Sequence, residues 1–371
     1  MKEIAVIFGG KSVEHDISVI TALQTMKSIC GYKVLPIYIK PDGQFVTAQN
    51  LTKPQTYLNY AKNVKKEREV IFDMSYANIV KNKKIVQKVK IDCALLCTHG
   101  HGGEDGALQG MLEMCDIPYS SCKVASSAMC MDKTLTKALL QANHIKSPAY
   151  EHFDICQYKA KKIDILKEIK DKIKLPCIIK PANGGSSVGI SICEDITKLE
   201  SCIDEAFLYD DKIIVEKYIE KAREFCCGVV KIANNIITSN VNEVKKGKIY
   251  TFTEKYLSTK EQGKKKIDTP TINKVKRLAE KTYKALDCDG VVRVDFLYDQ
   301  KDNILYVNEL NTIPGSLAFN LFPFPFADLI KGIIEEAISY HSSKGKLVYS
   351  FSSEAIEKYI DMTDHLKYKM R

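Results

Sequence analysis

Two short runs in the last third of the chain carry the densest chemistry: Val291-Val292-Arg293-Val294-Asp295-Phe296 and Leu305-Tyr306-Val307-Asn308-Glu309-Leu310-Asn311-Thr312-Ile313-Pro314-Gly315. If both are strands of one hairpin, successive side chains point to opposite faces. Val292, Val294 and Phe296 then share one face, and Arg293 and Asp295 share the other. Glu309 and Asn311 share a face on the returning strand. Set on the same side, two carboxylates, an amide and a guanidinium converge. Hard Mg²⁺ takes one or two protein carboxylates together with phosphate oxygens and water, so the set suits it. The arginine is a fixed cation for charge that builds on a transferring phosphoryl group or an oxyanion. A surface hairpin with a polar outer face would show the same alternation.

Two further constellations are rich in glycine. In Lys180-Pro181-Ala182-Asn183-Gly184-Gly185-Ser186-Ser187-Val188-Gly189 the glycines let backbone N–H groups approach phosphate, and the lysine adds a point charge. The lysine precedes the glycines, so the match to a P-loop is loose, and a plain turn between strands fits equally well. The third constellation pairs Gly9-Gly10-Lys11-Ser12-Val13-Glu14-His15 with His99-Gly100-His101-Gly102-Gly103-Glu104-Asp105-Gly106. Each follows an apolar run, which would put both at the carboxyl edge of one parallel sheet, where ligands bind. Cys97, His99 and His101 are a weak transition-metal set. A histidine and an acid gripping the amine and carboxylate of an amino acid fit better.

The elements that must position these groups follow from hydrophobic pattern. Residues 3–8 read as a buried strand, 17–30 as a helix, and 32–39 and 89–97 as further strands, which predicts a parallel α/β domain. A helix opens at Met131-Asp132-Lys133 and runs to Gln141, and Pro176–Lys180 is a short strand closed by Pro181. The third segment begins with a strand near Lys212–Tyr218. It continues through a polar loop at 245–268, a helix from Asn273 to Leu286, the hairpin, and a helix over Asp328–Ser339. A polar tail follows, in which Glu354–Tyr359 could form one short helix. The boundaries expected are 1–122 for an N-terminal α/β domain, 123–213 and 214–340 for two α+β subdomains, and 341–371 for the tail.

Bulk properties fit an enzyme of this kind. The chain has 371 residues, 45% hydrophobic and 27% charged, with a net charge of +9, enough for two or three domains. The basic excess lies in lysine-dense stretches and reads as a solvated face that attracts anions. Arginine is scarce and no nucleic-acid module is present, so no nucleic-acid partner is expected. No apolar run is long enough for a membrane span and the N-terminus has no secretory pattern, which predicts a cytoplasmic protein without a membrane partner. Thirteen cysteines without CxxC pairs read as reduced, mostly buried thiols.

Taken in order, GGKSVEHDISVITA, HGHGGEDGALQGMLE, IPYSS…ASSAMCMDKTLTK, IIKPANGGSSVGI, TEKYLS, VVRVDF and NELNTIPGS closely resemble the D-alanine–D-alanine ligases of the ATP-grasp superfamily, over roughly residues 3–335. Each motif is modest alone, and their joint order and spacing are specific. The resemblance implies an ATP-grasp fold, with an N-terminal parallel α/β domain followed by two α+β subdomains that sandwich the nucleotide. It implies ATP-dependent ligation of small-molecule amino acids through a D-alanyl phosphate for peptidoglycan precursor synthesis, by a homodimer using ATP and two Mg²⁺ ions, with Mn²⁺ as a substitute. Position by position, Glu14 would hold the first substrate's amine and His99 its carboxylate side. Lys133, Lys180 and Ser187 would contact the nucleotide phosphates. Glu216, Lys217 and Ile219 would frame the adenine, Glu224 would take the ribose hydroxyls, and Lys255 would lie over the nucleotide. Ser186 and Tyr256 would join Glu14 in a hydrogen-bonded triad. Asp295, Glu309 and Asn311 would bind metal, and Arg293 with the Gly315 N–H would stabilise the tetrahedral intermediate. Ser316, Asn320 and Leu321 would meet the second substrate.

Departures from the family pattern fall at the acceptor end. Counted from Asn311, Asn320 stands where a serine usually grips the second carboxylate; its amide can donate, with a different reach. Gly184 stands where an acid is common. Tyr256 favours the dipeptide-forming type over depsipeptide-forming relatives. A paralogue joining D-alanine to another amino-acid or hydroxy-acid acceptor is the nearest alternative. A catalytically silent binding protein is opposed by the intact Lys133, Lys180, Arg293, Asp295, Glu309 and Asn311.

Overall fold

A computed structural model describes residues 1–244, 267–348 and 353–369. Met1–Ile338 form one compact unit and Ser339–Arg371 a second.

The first sheet is built on β1 (Glu3–Gly9), six of whose seven residues are buried. It pairs in parallel with β2 (Lys33–Ile39) on one side and β7 (Cys93–Leu96) on the other. Burial on both faces is what a continuous apolar run predicts for a central parallel strand. The expected parallel pairing stops there. Beyond β2 the order continues through β3 (Phe45–Thr47), β4 (Arg68–Asp73), β5 (Tyr76–Lys81) and β6 (Lys84–Lys90), all antiparallel. The single strand expected over 89–97 is therefore two. Its first residues close the exposed, lysine-rich edge strand β6, and its last form the fully buried β7. Helix α1 (His15–Ser28) packs on β1, and two short helical turns, α2 (Gln55–Leu58) and α3 (Tyr60–Asn63), lie in the β3–β4 connection. Gly9 ends β1 at φ +92°. A Cβ there would fall 2.2 Å from the Ile39 carbonyl, so the turn into the 10–14 loop requires glycine.

After α4 (Ala107–Met114), α5 (Val124–Met131) and α6 (Lys133–Ala142), the second sheet is antiparallel in the order β10–β9–β11–β8. Its strands are β8 (Tyr150–Asp154), β9 (Cys177–Pro181), β10 (Ser191–Cys193) and β11 (Lys212–Lys217), with α7 (Ile155–Glu168) and α8 (Leu199–Ala206) between them. β11 pairs with both β8 and β9. Residues 213 and 214, on either side of the expected boundary, both lie inside this strand. Cys122, Cys130, Leu140 and Ile145 pack into the core of the third sheet, not the second.

That third sheet runs β13–β12–β14–β15, all antiparallel: β12 (Arg223–Ile232), β13 (Asn235–Val244), β14 (Val291–Asp299) and β15 (Ile304–Asn311). Helix α9 (Thr269–Ala285) covers one face through Val275, Ala279 and Tyr283. It starts earlier than its apolar pattern indicates, because Asp268 caps the Thr271 N–H at 2.9 Å and Pro270 occupies the first turn. Helix α10 (Phe326–Lys344) adds Leu329, Ile330, Ile333 and Ile334 to a core shared with β1, β7 and Ile313. Each such side chain contributes about 2 kcal/mol by leaving water. This shared core fixes the turn after β15 against the first sheet.

In the second unit, α11 (Ala355–Lys369) replaces the shorter helix expected at 354–359, with Ile356, Tyr359, Ile360 and Met362 exposed. None of the 13 cysteines forms a disulfide. No described helix is long and apolar enough to cross a membrane.

Candidate active site

Antiparallel register brings the hairpin chemistry together. Arg293 lies opposite Asn311 and Asp295 opposite Glu309. Val292, Val294 and Phe296 are buried on the other face, as period-two alternation requires. The register shifts just beyond Asp295, where Asn308 is the extra residue of a bulge. The Arg293 Nε and Nη2 donate to Asp295 Oδ1 and Oδ2, both at 2.7 Å, and Asn311 Nδ2 donates to Asp295 Oδ2 at 3.2 Å. The bidentate fork fixes both side chains.

Glu14 comes to this face from the loop after β1. It is buried, and the Ser186 hydroxyl donates to its Oε1 at 2.5 Å. Backbone space allows the approach. A Cβ at Gly185 would lie 2.5 Å from Glu14 Oε2, and one at Gly100 2.9 Å from the same oxygen. Ser186 and Ser187 both adopt positive φ (51° and 60°), an uncommon conformation for residues with side chains. Lys133, first residue of α6, donates to the Gly184 carbonyl at 2.6 Å and ties the glycine-rich loop to that helix. Burial lowers its pKa, opposed by Glu309. Asp132 caps α6 through the Thr134 N–H and is ion-paired to Lys212. Together Glu14, Glu104, Lys133, Ser186, Ser187, Arg293, Glu309 and Asn311 line one cleft.

The nucleotide-side residues form a neighbouring buried group. Lys180 on β9 donates to Glu216 Oε2 on β11 at 3.0 Å and to Asn308 Oδ1 at 3.4 Å. Burial opposes charge on Glu216, but Lys137 and then Lys180 outweigh it and hold the carboxyl below its ordinary range. Ile219 is buried nearby in sequence, whereas Lys217 is exposed at the end of β11. Glu224 lies on β12, half-buried. Tyr256 and Lys255 lie outside the described residues.

His99 lies against the turn that follows β15. It is buried, and desolvation pushes its pKa down to about 4, leaving a neutral ring. Its Nε2 lies 2.9 Å from Thr21 Oγ1, which accepts the Ser316 N–H at 2.9 Å. The ring also hydrogen-bonds the Ile313 backbone. Glu104 accepts the Ile313 N–H on Oε1 (2.9 Å) and the Gly100 N–H on Oε2 (2.8 Å). Burial, then the neighbouring Glu14, raises its carboxyl above the ordinary range. With Thr21 and Glu104, His99 grips the backbone of the turn that carries Gly315. Asn320 is exposed and Leu321 buried, and neither lines the cleft. Ser316, Leu317 and Ala318 all have positive φ, near 50°, a tight left-handed turn immediately after Gly315.

Lys137 is marked in the sequence by its place four residues after Lys133 on one helical face. Thr21 and Asn308 carry no local signal, since their contacts are with residues far away in the chain.

The oxygen-rich face of the hairpin fits a hard cation. Among the described residues no group of three or more His, Cys, Asp or Glu could hold a metal unaided. Two carboxylates and an amide are the donor set Mg²⁺ takes when phosphate and water complete its shell.

Two antiparallel α+β sheets, one presenting Lys180 and Glu216 and the other Arg293, Asp295, Glu309 and Asn311, define an ATP-grasp enzyme, an ATP-dependent ligase. The model of the D-ala D-ala ligase N-terminus matches residues 3–122 and that of the D-ala D-ala ligase C-terminus matches 139–335, so the chain belongs to the D-alanine–D-alanine ligase family. The chain is 36% identical to the D-alanine–D-alanine ligase of Thermosipho africanus, over 96% of this chain and 99% of that one. It is 38% identical to that of Thermosipho melanesiensis, over 93% and 96%. Among solved structures, the D-alanine-D-alanine ligase of Coxiella burnetii aligns with TM-score 0.78 at 26% identity, covering 93% of this chain and 98% of that one. The VanG D-Ala:D-Ser ligase of Enterococcus faecalis aligns with TM-score 0.77 at 28% identity, covering 90% and 98%.

Proposed function

We propose that this enzyme joins two D-alanine molecules through a D-alanyl phosphate, supplying dipeptide for peptidoglycan precursors in the cytoplasm. The observation that carries the reading is the convergence of the Glu14–Ser186 pair with Arg293, Glu309 and Asn311 around one cleft. Glu14 holds the ammonium of the first D-alanine, which orients its carboxylate toward the γ-phosphate. A carboxylate oxygen attacks phosphorus and ADP departs. Lys133, Lys180 and Ser187 face the phosphates, Glu216, Lys217 and Ile219 the adenine, and Glu224 the ribose. Asp295, Glu309 and Asn311 would hold two Mg²⁺ ions (Mn²⁺ as a substitute), which would supply positive charge against the developing phosphate charge. The second amine attacks the acyl carbon, and Arg293 with the Gly315 N–H meets the oxyanion before phosphate leaves. Ser316 contributes to the acceptor side, and the enzyme works as a homodimer through its N-terminal domain. Residues 1–122, the two ATP-grasp subdomains up to 340 and the 341–371 tail are its functional divisions.

Phosphate release measured with ATP and a panel of D- and L-amino acids tests this. D-alanine-dependent release with dipeptide as product is expected, and its absence would sink the proposal. A second reading, transfer to a different acceptor such as D-serine, is favoured by Asn320 at the usual serine position and by the similarity to a D-Ala:D-Ser ligase. A larger kcat/KM with another acceptor in the same panel identifies it.

A further inference from the structure

His15 follows Glu14 in the chain, does not line the cleft, and opens α1. Its side chain reaches back across the 10–14 loop. Nδ1 lies 2.7 Å from the Gly10 carbonyl oxygen, and Nε2 lies 2.9 Å from the Tyr38 hydroxyl. A carbonyl only accepts, so Nδ1 carries the hydrogen, and the neutral ring takes the Tyr38 O–H on Nε2. Tyr38, in β2, is itself fixed. It is buried, meets the His15 ring edge-on at 5.5 Å, and packs against Phe8, Tyr57 and Tyr60. Burial, then Asp16, pushes its hydroxyl up to about 12, so it stays a donor.

This closure bears on where the Glu14 carboxylate points. Glu14 is the N-cap of α1, and its carbonyl accepts the Ser18 N–H at 3.1 Å. An acid at that position ordinarily turns its side chain onto the free N–H groups of the first helical turn. Here the carboxylate makes no such bond and instead receives Ser186. The loop backbone that sets its direction is held at several points. The Gly9 N–H donates to Ser18 Oγ at 2.6 Å, the Gly10 N–H to the Ile39 carbonyl at 2.8 Å, and the Glu14 N–H to Ser12 Oγ at 3.1 Å. The His15–Gly10 bond spans the loop from its first residue to the residue after Glu14.

We propose that His15 is a positioning residue for the first amino-acid substrate. By bridging Tyr38 and the Gly10 carbonyl it holds the Glu14 carboxylate toward the cleft and away from the N-terminus of its own helix. The inference rests on the reading that Glu14 holds the substrate ammonium, and deepens it.

Steady-state kinetics of single and double variants test this. For His15→Ala, KM for the first D-alanine should rise about fivefold or more, the worth of a lost hydrogen bond, while KM for ATP stays within about twofold. In enzyme that already carries Glu14→Gln, adding His15→Ala should change KM for D-alanine less than about twofold, because no carboxylate remains to be misplaced. A full fivefold loss in that background would overturn the inference and make His15 a residue of loop stability alone. Two nearly isosteric variants separate the ring's contacts and serve if the alanine variant does not fold. His15→Asn keeps a donor at the reach of Nδ1 and loses Tyr38, whereas His15→Gln keeps the reach of Nε2 and loses Gly10. The asparagine variant should recover most of the wild-type KM, and the glutamine variant should resemble alanine. The reverse order, or a wild-type KM in both, would overturn the inference. If Glu14→Gln by itself leaves KM for D-alanine unchanged, the assignment of Glu14 to the amine fails, and the role of His15 fails with it.

Discussion

Ser186 donates a 2.5 Å hydrogen bond to Glu14, joining residues 172 apart in sequence, one in the loop after β1 and the other in the glycine-rich loop after β9. It links the first and second sheets at the cleft. The bond exists because Gly185 has no side chain: a Cβ there would lie 2.5 Å from one Glu14 oxygen and 2.9 Å from the other.

Gly185→Ala should therefore displace the Glu14 carboxylate while leaving the cores intact. KM for the first D-alanine should rise about tenfold or more, as expected for a lost hydrogen bond to a charged group, with the melting temperature within a few degrees of wild type. Steady-state kinetics and thermal melts check this. An unchanged KM would contradict the placement of Glu14 at the amine.

Glu309→Ala should abolish turnover and leave the fold standing. Glu309 is half-buried on the polar face of β15, and the apolar face opposite carries the packing through Val307 and Leu310. A drop in kcat of about a thousandfold or more is expected from losing a metal ligand at a phosphoryl-transfer centre. Circular dichroism and kinetics check it together. A near-normal rate would remove the metal assignment.

The hairpin was legible because half-buried strands advertise themselves by alternation, and Arg293, Asp295, Glu309 and Asn311 fell on one face as that rule demands. The bulge at Asn308 was not legible, since it depends on which residue of β14 each residue of β15 meets. The same holds for β11. Its apolar run marked a strand, but only its pairing with β8 and β9 assigned it to the second sheet. The contacts of His99 with Thr21 and Ile313, both distant in sequence, were illegible for the same reason. At Tyr256 the motif is informative and the described structure does not reach it.

His99 also sets a pH dependence. Its folded pKa, about 4, lies below the ordinary value of 6.5. Above pH 6.5 the ring is neutral in both folded and unfolded chains, and its contribution to stability is fully present. As pH falls from 6.5 toward 4 the unfolded chain gains a proton that the folded one refuses, so stability is lost, up to on the order of 3 kcal/mol. Denaturant unfolding of wild type and His99→Gln across pH 4–7.5 checks this. The stability difference between them should shrink toward acid, and a difference independent of pH would contradict the buried neutral ring.

Activation of a carboxylate as an acyl phosphate has one direct test. D-alanine labelled with ¹⁸O in its carboxylate is turned over with ATP, and the released phosphate and the dipeptide are analysed by mass spectrometry. The mechanism moves one carboxylate oxygen of the first substrate to phosphorus, so each phosphate should carry one ¹⁸O atom and the peptide carbonyl should keep the other. Dipeptide formed with unlabelled phosphate would contradict the account.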